Sequence, residues 1–172
     1  MNIHEAIRTR KSVRSYLSKP VDPEKIVTIL NSVRLAPSAN NRQEWRFVVV
    51  TDEATREKLK VAAAEQSFVS QAPVIIACCA ETDGRLMRCG IESFKINVAI
   101  AIDHLTLAAV EEGLGTCWIG AFYPDQVKEI LGIPDSVEVV ELVTLGYPKD
   151  PMPTEKNRLP LEKILHREQW SK

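Results

Sequence analysis

The chain has 172 residues, enough for one domain with a sizeable core. Its 45% hydrophobic and 26% charged residues are ordinary for a soluble globular protein. A formal net charge of −1 removes any global electrostatic case for nucleic acid or an acidic membrane surface. Asn2 with Glu5 three residues on is a variant of the capping box and predicts a helix starting at Ile3. No apolar stretch follows Met1-Asn2-Ile3-His4-Glu5, so no signal peptide is expected and a cytoplasmic location is. Arg10-Lys11-Ser12-Val13-Arg14 then concentrates cations around a hydroxyl, a pattern suited to an anion. Asp22-Pro23 is a second helix start, with Ile26, Ile29, Leu30 and Val33 on one face and Pro37 marking the end.

Ala36 to Phe47 is a turn dense in amide and hydroxyl groups that leads into an apolar, β-branched run, read as a strand over Phe47–Thr51. Asp52 caps a helix through about Ala64, and Pro73 precedes a strand over Val74–Ala80. Thr82–Gly90 reads as a loop. A long helix follows from about Glu92 to Glu112 and is apolar almost all round, so it must bury more than one side; a subunit interface would do so. The apolar stretch Ile96–Val110 is short for a membrane span, which needs roughly 20 residues, and it contains Asn97, Asp103 and His104. Gly113 and Gly115 end the helix. A short strand and turn over Thr116–Gly120, a helix opened by Pro124 and ending near Gly132, and a central strand over Val137–Leu145 complete the pattern. The tail from Lys149 is rich in proline and charge. It also carries Leu159, Leu161, Ile164, Leu165 and Trp170, which should dock on something, a partner subunit being one option. The expected architecture is α+β, a mixed central β-sheet flanked by helices, in a single domain over residues 1–172.

The cysteines Cys78, Cys79, Cys89 and Cys117 include no C-x-x-C pair, so zinc and iron–sulfur spacings are missing. Cys78 and Cys79 are strand neighbours and point to opposite faces, so they read as buried reduced thiols rather than shared ligands. Gly113-Leu114-Gly115 is no dinucleotide fingerprint, because it follows a helix and leads into a strand. No Ser-His-Asp set and no metal triad can be assembled, and His4, His104 and His166 read as structural or exposed.

Five segments in order, Arg10–Arg14, Ala36–Phe47, Gly113–Gly120, Leu145-Gly146-Tyr147-Pro148 and Lys156-Asn157-Arg158, resemble the nitroreductase family of FMN-dependent oxidoreductases, over nearly the whole chain. The resemblance implies an intertwined homodimer in which the tail from about 149 to 172 packs on the partner. It implies that Arg10 and Ser12, joined by Lys156 and Arg158, hold the FMN phosphate, with Lys11 also among the cofactor-binding residues. An arginine fork suits that task because it meets phosphate oxygens in pairs. Arg14 would face the N1–C2 carbonyl edge of the isoalloxazine and stabilise the charge that reduction leaves there. Ser38, Asn41 and Gln43 match the family's P-S-x-x-N-x-Q turn and would meet the pyrimidine edge and ribityl hydroxyls. The Ile119–Gly120 backbone would lie near flavin N5, so no titrating side chain is assigned to catalysis.

Asn40 stands where glycine is common, and asparagine tolerates left-handed geometry. Glu44 replaces a common proline and is expected to place a negative charge near Trp45 that tunes access or substrate charge. The implied activity is hydride transfer from NADH or NADPH, then reduction of a nitroaromatic, a quinone or a related conjugated acceptor by a ping-pong mechanism. A flavin-binding storage or regulatory module without turnover and a non-flavin phosphate-ligand binder are the alternatives. Only Glu81–Ile91 separates the second strand from the long helix, so a thin cover over the cofactor and weak substrate selectivity are expected.

Overall fold

The structure, a computed structural model, describes residues 1–150 and 156–170. Residues 151–155 and 171–172, which belong to the expected docking tail, lie outside the described residues. Four strands form one sheet: β1 Trp45–Val50, β2 Val74–Glu81, β3 Gly115–Ile119 and β4 Val137–Gly146, in the order β1-β2-β4-β3. All three strand pairings are antiparallel. The parallel component of the expected mixed sheet is confined to one bridge, Ser12 beside Thr116.

Among the described residues six α-helices surround the sheet: α1 Ile3–Thr9, α2 Pro23–Val33, α3 Glu53–Ala62, α4 Ser67–Gln71, α5 Ser93–Glu111 and α6 Pro124–Leu131. Three start where the sequence places a cap. Asn2 Oδ1 accepts from the Glu5 N–H at 2.9 Å, Asp22 from Glu24 at 2.9 Å and Asp52 from Thr55 at 2.8 Å. Each such cap contributes about 1 kcal/mol. Gly132, with φ at +64°, ends α6 in the left-handed conformation that favours glycine.

Strand alternation divides the interior into two cores. Val74, Ile76, Cys78 and Ala80 of β2 face α2 and α5. Ile75, Ala77 and Cys79 face α3, α4 and α6. Both faces of β2 are therefore covered, which is why seven successive residues from Val74 to Ala80 are buried. The two thiols do lie in opposite cores, and burial pushes Cys79 up to about 11 and Cys78 well above its usual range. Cys89 differs: it is exposed on the loop after β2.

Helix α5 is, by length and composition alone, apolar enough to cross a membrane. Here Val98, Ala101, Ile102, Leu105 and Ala109 pack into the first core, while Ile96 stays exposed and Ile100, Leu107 and Ala108 are half-buried. Its second apolar side thus remains partly uncovered in the single chain. Gly113 ends α5 at φ +74°, but Gly115 belongs to β3 and has another task.

Candidate functional site

The basic segment after α1 runs along the outer edge of β3. The Val13 N–H donates to the Thr116 carbonyl at 2.8 Å. A Cβ at Gly115 would lie 2.4 Å from Val13 Cγ2, so only glycine lets the segment approach this closely. Tyr16 fastens the far end. Its hydroxyl bonds the Val13 carbonyl and Thr144 Oγ1, each at 2.7 Å, and burial pushes the phenol above its usual range. The sequence offered no ionic or motif signal for Tyr16; its only mark was an aromatic just beyond a basic cluster.

This anchoring aims the polar side chains outward. Ser12 and Arg14 are exposed, and Arg10 and Lys11 are half-buried. The Arg14 guanidinium stands 5.9 Å from the centroid of the Phe68 ring. Ser12, Arg10 and Arg14 all act on the buried Cys117 thiol, which burial raises and these neighbours partly lower. The C-terminal segment joins the same cluster. Lys156 donates to the Ile7 carbonyl. Burial holds its ammonium below the usual lysine range, and the charges of Arg10 and Arg158 push the same way. Among the described residues Arg10, Arg14, Lys156 and Arg158 form no ion pair with a carboxylate. Arg10, Lys156 and Arg158, far apart in sequence, thus crowd like charges together. An anion would relieve that repulsion. A shallow cavity of about 190 Å³ lined by Lys11, Ser12, Arg14 and Asp150 opens beside it.

The amide-rich turn is elsewhere. It leads into β1, the opposite edge of the sheet, three strand spacings or about 14 Å from β3. Its shape is fixed internally. Asn40, Asn41 and Gln43 all adopt positive φ, at 53°, 56° and 51°. Asn40 therefore does supply the left-handed geometry read from sequence. Such conformations persist only where surroundings over-determine them. Ser38 Oγ accepts from the Gln43 N–H at 3.1 Å, the Gln43 amide donates to Asn41 Oδ1 at 3.1 Å, and the Ala39 N–H donates to Asn97 Oδ1 of α5 at 2.9 Å. Asn41 and Gln43 remain exposed, and Ser38 is half-buried.

Glu44 does not present a charge to a substrate, contrary to the expectation. It is only 4% exposed. It accepts from Asn97 Nδ2 at 2.7 Å, from Thr82 and Ser93 hydroxyls at 3.2 and 3.4 Å, and from Arg42 Nε at 3.1 Å. Its work is to tie the turn to α5 and to the loop after β2. Arg42 extends the tie to Asp83 at 2.8 Å. That loop is short, as expected, and is cross-linked. Met87 N–H donates to the Ile91 carbonyl at 2.8 Å, and Gly84 and Gly90 take positive φ to form its turns.

Ile119 and Gly120 close β3. The Ile119 side chain is buried in the second core, and Gly120 is exposed, so the backbone is what this point offers a ligand. Beneath Gly120 lies Glu141 of β4, which sequence reading passed over; a carboxylate inside the apolar run Val137–Leu145 was the available signal. Among the described residues no group of three or more His, Cys, Asp and Glu side chains could hold a metal ion. His4 is exposed and His104 half-buried, while His166 stacks on Trp170 at 4.1 Å between ring centroids. In the tail, Leu159, Leu161, Ile164, Leu165 and Trp170 are all exposed in the single chain.

A family model described as "Putative TM nitroreductase" matches residues 2–172. An Archaeoglobus fulgidus protein named "Putative NADH dehydrogenase/NAD(P)H nitroreductase" is 34% identical over 95% of this chain and 96% of its own length. "FMN reductase [NAD(P)H]" of Bacillus subtilis is 30% identical over 96% of this chain and 73% of its own. A crystal structure of a nitroreductase family protein from Clostridium difficile superposes with a TM-score of 0.89 at 31% identity, covering 99% of this chain and all of that one.

Proposed function

This chain belongs to the nitroreductase family, and from that premise we propose that it is an NAD(P)H-dependent FMN oxidoreductase acting on nitroaromatics, quinones or related conjugated acceptors by a ping-pong mechanism. The reading rests most on one observation: Arg10, Lys156 and Arg158 crowd together at the β3 edge and, among the described residues, pair with no carboxylate, beside the exposed hydroxyl of Ser12. A phosphate group fits that donor set, because arginine forks, an ammonium and a hydroxyl all donate to its oxygens. In this reading Arg10, Lys11, Ser12, Lys156 and Arg158 hold the phosphate of FMN.

When bound, FMN supplies the redox chemistry, taking hydride from a reduced nicotinamide and passing it to the acceptor. The chain's residues do the rest. Arg14 carries a fixed positive charge toward the edge of the ring where reduction leaves negative charge. Ser38, Asn41 and Gln43 donate to and accept from the pyrimidine edge and the ribityl hydroxyls. Ile119 and Gly120 offer backbone polar groups at the point where hydride arrives.

We further propose a homodimer in which each site takes its basic segment from one chain and its turn from the other. Two features support this. The two halves lie on opposite edges of one chain's sheet, and α5 with the tail leaves apolar groups uncovered. One domain over residues 1–172, with the tail from about 149 packed on the partner, belongs to the same proposal, as does a cytoplasmic location.

The test is anaerobic. The purified protein is expected to be yellow, to bleach on addition of NADH or NADPH, and to recover its colour with a quinone or nitroaromatic. Parallel lines in double-reciprocal plots are the expected kinetic signature. Protein that stays yellow with both nicotinamides would be a flavin-binding module without turnover. Colourless protein that refuses added FMN would end the cofactor assignment.

A further inference from the structure

Glu141 lies beside Gly120, the point assigned to hydride arrival, and has no part in the binding roles proposed above. Cys78 of β2 pairs with Glu141, and Cys79 pairs with Val139, so a bulge leaves Val140 unopposed beside it. On the other side, Ile119 pairs with Leu142, and β3 ends there, bringing Gly120 alongside Glu141. A Cβ at Gly120 would stand 3.7 Å from Glu141 Oε1 and 3.9 Å from Oε2, so the whole carboxyl lies under the Gly120 backbone. Oε1 is buried and has no hydrogen-bond partner among the described residues. Among the described residues no ion pair includes this carboxyl. Its charge acts on the thiols of Cys78 on β2 and Cys117 on β3, both pushed up by burial, while Arg14 and Arg10 act on Cys117 in the opposite sense. Burial raises the Glu141 carboxyl above its usual range, and the backbone at Ile119 and Leu142 offsets this only in part.

A half-buried carboxyl with one oxygen buried and unpartnered among the described residues is a less favourable carboxylate and a readier proton acceptor than a solvated one. Negative charge arriving on the far side of Gly120 would strengthen that tendency. We propose that Glu141 is a positioning residue that takes up a proton at Oε1 when the site above Gly120 is reduced and yields it on reoxidation. The inference rests on the FMN reading above. In the reductive half, the nicotinamide loses hydride and leaves as NAD(P)⁺, the site gains two electrons and one proton, and Glu141 takes a second proton from solvent. In the oxidative half, a quinone takes the hydride while Glu141 releases its proton, and hydride and proton together make the hydroquinone. The sum is one NAD(P)H and one proton consumed per quinone reduced.

The test is the midpoint potential of the FMN-loaded protein against pH, for the wild type, Glu141→Gln and Glu141→Asp. One proton taken up per electron pair steepens the dependence by a factor of ten in the equilibrium constant per pH unit, about 30 mV for a two-electron couple. The wild type is expected to show this extra slope above the ordinary glutamate range. Glu141→Gln, which keeps shape and loses the titration, is expected to lack it. Glu141→Asp, whose carboxyl is withdrawn by one methylene from Gly120, is expected to retain part of it. Equal slopes in the wild type and Glu141→Gln, with FMN bound stoichiometrically in both, would remove the role of Glu141 and leave the cofactor reading intact. Failure of the wild type to bind FMN would remove both.

Discussion

The two edges of one sheet are built on opposite electrostatic plans. At the β3 edge, cations from both ends of the chain are brought together and none of Arg10, Arg14, Lys156 and Arg158 meets a carboxylate among the described residues. At the β1 edge, each arginine meets one: Arg42 pairs with Glu44 and Asp83, and Arg46 with Glu81. Among the described residues the first edge leaves Arg10, Arg14, Lys156 and Arg158 without a carboxylate, and it is held by backbone contacts through Val13 and Tyr16. The second satisfies its polar groups internally and holds a turn of three positive-φ residues in shape. An uncompensated charge cluster gains most from an external anion. A self-satisfied turn offers shape and a few exposed amide edges. On the proposed reading, the contrast would put affinity at the β3 edge and orientation at the β1 edge.

The strongest way to break this comparison is at Glu44. Glu44→Ala should destabilise the protein by about 3 kcal/mol, because Asn97, Ser93 and Thr82 lose a buried acceptor and Arg42 loses one partner. Chemical denaturation measures this. A loss well below 1 kcal/mol would mean that the turn does not depend on its internal network.

Arg10→Ala tests the other edge. Charge-assisted hydrogen bonds contribute about 1.5–3 kcal/mol, so FMN affinity should fall roughly 10- to 100-fold with little change in stability. Fluorescence titration of FMN into the apo-variant reports it. A sharper form mixes Arg10→Ala chains with Asn41→Ala chains. If each site takes its basic segment from one chain and its turn from the other, half the sites in the hybrid dimer are wild type and regain full affinity. Hybrids with no high-affinity site would place both halves within one chain.

Gly115→Ala is expected to cost about 1.5 kcal/mol, since its Cβ overlaps Val13 Cγ2 and the basic segment must shift away from β3. Melting temperature and FMN affinity should fall together. Stability that falls while affinity holds would separate the anchoring of the segment from binding.

The smallest effect is a pH dependence. The folded protein holds the Glu141 carboxyl above its ordinary value of 4.5. Its contribution to stability is therefore fully present below the unfolded value and is lost as pH rises through the folded one. Between the wild type and Glu141→Gln, the difference in melting temperature should drift in favour of the glutamine variant as pH rises above 4.5. A constant difference would mean that the carboxyl is as well solvated folded as unfolded.

Local signals carried much of the fold. Caps at Asn2, Asp22 and Asp52, prolines at 23 and 124, and the alternation along β2 depend on neighbours in sequence, and each appears where the pattern places it. The family was equally legible, because five motifs in order leave few alternatives. The short α4 was not, since five residues carry less than two turns of periodic pattern. Tertiary structure alone decided the rest. It put Glu44 in the interior, where a network from α5 and the loop after β2 converts an apparent surface charge into a brace. It gave Gly115 its role, because a close approach by Val13 depends on which segment lies alongside β3. It also separated the two candidate half-sites onto opposite edges and set Glu141 beneath Gly120. Sequence determines what each residue can do through its local chemistry; strand order and register, which follow from burying two faces of one sheet, determine which of those chemistries meet.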